Sequence, residues 1–326
     1  MKCRTWVLSS LVLLACGCTP DGLPDDGDPQ TPSRRVRVDD TGGEAAAASS
    51  GWIALRVGVG SAAAMAADGS LTCWGDPEMM NTTCPEGTFV DFAMGYAHGC
   101  ALDAAGEVTC WGCDDPDSYY YPACLGQTEA PAGPFVSLAA GDIETCALAA
   151  AGAVTCWGGY GLPRRQAPST GTYTKVALGG FGCAITTDQE IVCWGTNDYQ
   201  EMWHPMMGRW VDVAVGTSHA CALTDRGDIT CWGGSAPPAR TPPEGVRFRS
   251  VGAGYQSACG ITMAGGIRCW EDYTMDDRWV EYLDPEVPPG TFTTVDIGWP
   301  TACALSTAGA IECFGYTRGE DLADHP

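Results

Sequence analysis

"HGCALDAAGEVTCWG", His98 to Gly112, sets two cysteines ten positions apart around a small-residue turn and ends on Cys-Trp-Gly. The arrangement returns as "TCALAAAGAVTCWG" and "ACALTDRGDITCWG". Ala101-Leu102 and Val108-Thr109 flank a turn from Asp103 to Gly106, with the glycine at its end. That is the pattern of a β-hairpin with a short loop. Pairing Cys100 with Cys110 centres the loop on Ala105. Residues directly opposed on antiparallel strands have Cα atoms about 4.5 to 5.5 Å apart, within the reach of a disulfide. The spacing predicts one stapled hairpin per copy of the motif.

Working outward, the hairpin belongs to a longer unit that occurs seven times. Each unit opens with an aromatic, an apolar residue three on and a glycine three further on. The openings are "WIALRVG" at Trp52, "FVDFAMG" at Phe89, "FVSLAAG" at Phe135, "YTKVALG" at Tyr173, "WVDVAVG" at Trp210, "FRSVGAG" at Phe248 and "FTTVDIG" at Phe292. The period is 37 or 38 residues, apart from intervals of 46 and 44. Helical periodicity is absent, and Gly and Pro punctuate every few residues, so the units are β. Seven β units of this length predict an all-β fold, a seven-bladed β-propeller with disulfide-stapled hairpins. The opening strands are expected to pack between blades, each glycine allowing close backbone approach near the axis. Three strands per unit are legible. A fourth is not, and the last unit either lacks its final strand or takes it from the N-terminal segment.

The cysteines follow the units. Hairpin pairs are expected for Cys100 and Cys110, Cys146 and Cys156, Cys183 and Cys193, Cys221 and Cys231, Cys259 and Cys269, and Cys303 and Cys313. In the first unit Ala63 stands where the partner of Cys73 belongs, and Cys84 lies just downstream. Cys113 and Cys124 bracket an insertion. These sixteen form eight local pairs with none left over, which implies an oxidising compartment. Zinc is excluded by spacing, because no Cys-x2-Cys faces a second such pair.

The N-terminus reads as an export signal over residues 1–18. Lys2 and Arg4 precede a short apolar run, Trp6 to Leu14, that is too short to span a bilayer. Leu13-Leu14-Ala15-Cys16 resembles a bacterial lipobox, which makes Cys16 the expected lipidation site. Plain cleavage to a soluble secreted protein is the alternative. Residues 19–50 are acidic and Pro-rich and read as a disordered tether. The folded body is expected over residues 51–326.

The unit pattern, Gly-x-x-His-x-Cys-Ala-Leu, a turn with Gly, then Val-x-Cys-Trp-Gly, resembles the bacterial members of the regulator of chromosome condensation repeat family. His98 and His219 match that family's histidine position. Other units carry Ser61, Glu144, Phe181, Ser257 or Thr301 there. The resemblance implies a seven-bladed propeller over about residues 52 to 315, of the repeat class that includes a secreted β-lactamase inhibitor protein. Its eukaryotic namesake, a nucleotide exchange factor that binds chromatin, contributes no functional residue that can be carried over.

Chemistry is sparse in the sequence. Among four histidines, His98 and His219 occupy equivalent sites three units apart and read as structural. Neither a nucleophile elbow nor a Gly-rich phosphate loop occurs. "DDPD" at Asp114 to Asp117 lacks the alternating ligands of a calcium loop. No catalytic residue, metal or cofactor is expected. The chain carries 40 acidic against 17 basic residues, a formal charge of −23, which argues against nucleic acid as a partner.

The insertions are more informative. They follow Cys-Trp-Gly or its close variant, Cys269-Trp270-Glu271 in the sixth unit, and equivalent loops of a propeller leave one face. "CDDPDSYYYPAC" holds Tyr119, Tyr120 and Tyr121; the fourth unit adds Tyr199 and Trp203, the sixth Tyr273 and Trp279. Exposed aromatics and methionines are the material of a protein-binding patch, although the same side chains also serve to cover grooves between blades. The expected function is an extracytoplasmic, lipid-anchored binding or scaffold module that engages a protein through this loop face. The expected membrane contact is through the lipid anchor alone. The alternatives are a polysaccharide-active enzyme at the channel mouth, or exchange-factor-like activity by family analogy.

Overall fold

The computed structural model describes residues 51–76, 82–113, 125–159, 167–195, 208–234, 241–255, 257–271, 287–298 and 301–315, all within the unit Glu44–Pro326. Seven three-stranded antiparallel sheets follow one another along the chain. The first is β1 (Trp52–Val57), β2 (Ser61–Ala66) and β3 (Leu71–Gly75); the second is β4 (Asp91–Met94), β5 (His98–Leu102) and β6 (Val108–Gly112). Each sheet is a meander in sequence order, and each is one blade. Among the described residues there is no fourth strand in any blade and no helix. The seventh sheet is made of Phe292–Ile297, Thr301–Ser306 and Ile311–Gly315, while β1 pairs only within its own blade. The ring is therefore closed by side-by-side packing of blades 7 and 1.

Alternation explains the inner strands. In Trp210–Val215 the first, fourth and sixth residues are buried, the second is exposed, and the third and fifth are half-buried. The register slips between the first and third residues in five blades. This bulge turns the second residue outward. Middle strands are buried on both faces, as in His98–Leu102 and Glu144–Leu148. Their Ala, Gly and Cys side chains let neighbouring blades approach on either side.

The core is divided into seven clusters, one per blade interface. Phe135, Leu138 and Trp157 of blade 3 pack on Cys100 and Leu102 of blade 2. Trp210, Val213 and Trp232 of blade 5 pack on Cys183, Ile185 and Ile191 of blade 4. Leu55, Val57 and Trp74 pack on Cys303, Leu305 and Ile311, closing the ring. The hairpin disulfide of one blade thus forms part of the floor on which the aromatic opener and the Cys-Trp-Gly tryptophan of the next blade rest. Burying such a ring contributes about 2 to 3 kcal/mol.

The predicted staples are present. Cys100 faces Cys110 in register, and the five equivalent pairs do the same. Six hairpin disulfides form, each across a Cα separation of 4.0 Å. That is closer than the roughly 4.5 to 5.5 Å expected of opposed residues. Cys73 bonds to Cys84 across 5.4 Å, with Ala63 opposite Cys73 in the hairpin. Cys113 is disulfide-bonded; Cys124 lies outside the described residues.

A second ring of bonds locks the blades. The backbone N–H of Phe89 donates to the carbonyl of Gly69 in the preceding hairpin turn, and Phe135, Tyr173, Trp210, Phe248 and Phe292 repeat the bond with Gly106, Gly152, Gln189, Gly227 and Gly265. Trp52 donates to Gly309 and completes the seven. The turn residue has positive φ in every blade, from 82° to 93° at the glycines and 65° at Gln189.

Candidate functional site

The inner strands surround a central channel of about 560 Å³, a volume in the range of ligand pockets. Their third, fifth and seventh residues face it. At the fifth position blades 2 to 6 present Ala93, Ala139, Ala177, Ala214 and Gly252, whereas blades 1 and 7 present Arg56 and Asp296. The third position adds Lys175 and Asp212, and Asp91 holds the same place in blade 2.

These charges clasp neighbouring blades. Asp91 accepts the N–H of Leu138 at 2.9 Å and lies 3.8 Å from the Arg56 guanidinium. Asp296 accepts the N–H of Val57 at 2.9 Å, and Lys175 pairs with Asp212. Adjacent inner strands share no ladder, so side-chain carboxylates satisfy N–H groups that a sheet would satisfy with carbonyls. Burial pushes the Asp91 carboxyl above the usual carboxylate range, against the pull of Arg56 and of its two backbone donors.

The seventh position closes one end of the channel. A Cβ placed on any of Gly58, Gly95, Gly141, Gly179, Gly216, Gly254 and Gly298 would stand closer than 3.0 Å to the carbonyl oxygen of the equivalent glycine in the next blade, and Gly298 meets Gly58. Only glycine fits such an approach. The next residues join the blades: Asp142 donates to the carbonyl of Gly179, Gly180 to Gly216 and Thr217 to Gly254. Tyr96, Asp142, Thr217 and Tyr255 stand at this mouth.

The same face carries the Cys-Trp-Gly loops. Asp76, directly after Cys73-Trp74-Gly75, donates to Gly60 beside the glycine ring, and Gly234 donates to Ser218. Loop origins and channel mouth thus share one face. Tyr119, Tyr120, Tyr121, Tyr199, Trp203, Tyr273 and Trp279 lie outside the described residues, as does Cys16.

The histidines lie between blades. His98 and His219 are fully buried. His98 Nε2 is 2.8 Å from Thr145 Oγ1 of the next blade, and His219 reaches the backbone of Ser257. Burial holds both imidazoles down to about 4. Among the described residues no group of His, Cys, Asp and Glu is arranged to hold a metal ion, and no helix is long and apolar enough to cross a membrane.

The channel charges were not singled out from the sequence. Their signal is a departure within the repeat: most fifth positions are Ala or Gly, so Arg56 and Asp296 stand out once the openings are aligned.

Comparison with known proteins decides the repeat type. The family model described as "Regulator of chromosome condensation (RCC1) repeat" matches residues 89–115 and 210–236, the second and fifth units from opener through Cys-Trp-Gly. Two of the seven units are RCC1 repeats. Solved RCC1 propellers share its fold. Yeast RCC1 (Prp20), solved with Kap60, is 18% identical with a TM-score of 0.57, over 89% of this chain and 87% of that one. Prp20p from Saccharomyces cerevisiae is 19% identical with a TM-score of 0.54, over 71% and 72%. The ectodomain of the Physcomitrella patens receptor kinase CR4 is similar at 23% identity and a TM-score of 0.65, over 82% and 73%. No curated protein matches the chain.

Proposed function

We propose that this RCC1-type propeller is a protein-binding module of an oxidising, extracytoplasmic compartment, which engages its partner through the glycine-ring face. The observation that carries the reading is the convergence on that face of the channel mouth, Tyr96, Tyr255 and the origins of the loops after Cys-Trp-Gly. A braced scaffold presenting variable loops loses little entropy on binding. Tyr119 to Tyr121, Tyr199, Trp203, Tyr273 and Trp279 belong to those loops and are the proposed contacts. Residues 1–18 are the export signal, Cys16 is the lipid-bearing residue, and 19–50 tether the propeller to the membrane.

Two findings support this reading. Prp20, a structural neighbour, is named with protein partners: Kap60, Gsp1p and histones. The disulfides among the described residues favour an oxidising compartment over intracellular exchange-factor activity, and the CR4 neighbour is an ectodomain.

A photo-crosslinking residue at Tyr255, compared with one at Val136 on the opposite face, tests the assignment. Discrete protein adducts from Tyr255 in envelope preparations, weakened when Tyr119 to Tyr121 become Ser, are expected. Adducts from Val136 alone would move the binding site to the other face.

A further inference from the structure

The face opposite the glycine ring has its own chemistry. It is formed by the hairpin turns and the first residues of the inner strands, which are bonded to each other round the ring. Five of the six exposed large apolar side chains lie here: Ile53, Val90 and Val136 on blades 1 to 3, with 51 to 55% of their surface exposed, then Val211 and Met263 on blades 5 and 6.

Charge on this face is divided. Seven basic residues occur among the described ones. Arg56 and Lys175 line the channel; the other five, Arg209, Arg226, Arg247, Arg249 and Arg268, all belong to blades 5 and 6. Arg247 donates to the carbonyl of Arg226 in the neighbouring turn, Arg249 to Phe292, and the Met263 methyl sits over Gly227. They form one contiguous arc around exposed apolar side chains. Asp225 and Asp228 pair with Arg209 and Arg247, and Glu244 precedes the blade 6 opener, so five guanidiniums stand against three carboxylates and the arc stays net positive. Blades 1 and 2 carry the reverse, with no basic residue on this face: Asp68, Asp103 and Glu107 at the turns, and Glu86 on the segment running past Gly69; the blade 4 turn adds Asp188 and Glu190 between the two arcs.

The two arcs lie on opposite sides of the axis. Blade 2 and the boundary of blades 5 and 6 are three and a half steps apart in a ring of seven, which is half a turn. A two-fold axis lying in the plane between two such faces, perpendicular to the line joining the arcs, brings each positive arc over the negative arc of the other molecule. It also lays Val90 and Val136 over Val211 and Met263. We propose that this face binds a second copy of this chain, forming an isologous face-to-face dimer that leaves both glycine-ring faces outward. Apolar contact supplies area, and the charge division fixes the rotation.

The test is sedimentation equilibrium of the exported full chain in density-matched detergent. A monomer–dimer equilibrium is expected, with the dimer receding as NaCl rises from about 0.05 to 0.5 M. Arg209→Glu with Arg226→Glu should weaken it about tenfold or more, and so should Glu86→Arg with Glu107→Arg. Mixing the two variants should restore a heterodimer, because every reversed contact then meets its complement; recovery also shows that both variants are folded. A chain that stays monomeric, a dimer indifferent to these reversals, or variants that fail to recover on mixing would overturn the proposal. So would a monomer whose arginine arc instead binds phosphatidylglycerol vesicles and loses that binding on Arg226→Glu.

Discussion

His98 Nε2 and Thr145 Oγ1 lie 2.8 Å apart across the boundary of blades 2 and 3, with no solvent reaching either side chain. Burial favours the neutral ring and sets its pKa near 4, as at His219. The unfolded chain holds these protons up to about pH 6.5. Stability from the two neutral imidazoles is therefore complete above pH 6.5 and is lost as pH falls toward 4, by on the order of 3 kcal/mol at each site. The raised pKa of Asp91 acts in the opposite sense over the lower part of this window. Urea unfolding at pH 7.5 and pH 4.5 should show the loss, and His98→Gln should reduce the difference.

Gln189 is the one non-glycine at the seven positive-φ turn positions. An L side chain there costs about 1 kcal/mol, and its exposed bond from Arg209 recovers little of that. Gln189→Gly should stabilise the propeller by about 1 kcal/mol. Gly152→Ala should destabilise it by about as much or more, since its Cβ would sit 3.0 Å from the Tyr173 nitrogen. Thermal melts of the two variants should move in opposite directions.

Asp296 joins blade 7 to blade 1 through the N–H of Val57. Asp296→Ala leaves that half-buried donor without its acceptor and should cost about 1 to 3 kcal/mol. Asp296→Asn retains an accepting oxygen and should cost less. Chemical denaturation that ranked Asn as the more damaging change would show that charge, not the hydrogen bond, matters at this junction.

Replacing Cys221 and Cys231 together by Ala should destabilise the chain by roughly 2 to 3 kcal/mol, as expected for a short closed loop. A non-reducing peptide map should recover Cys73 linked to Cys84, a bridge that leaves the hairpin pattern.

The sequence made the blade count, strand order and hairpin cysteine register legible, because the unit recurs seven times and the cysteine pair six times, and each occurrence tests the others. Features that break the repeat were harder to read. Arg56, Asp91 and Asp296 gain meaning only when the ring brings blades 1, 2 and 7 together. The arginine arc is invisible along the chain, since Arg209, Arg226 and Arg249 are scattered over some forty residues and meet only through the turn-to-opener bonds.

Those bonds also order the assembly of the molecule in time. Each hairpin cysteine finds its partner ten residues away, so oxidation can follow emergence of the chain hairpin by hairpin. The junction of the last and first blades, where Asp296 meets Val57, spans 239 residues. Loop-closure entropy and contact order both make it the costliest encounter to reach. Until the final hairpin arrives, the first blade presents an uncovered apolar flank, Leu55, Val57 and Trp74. The newly exported chain is thus a row of finished but undocked blades, and its vulnerable period lasts until its two ends meet.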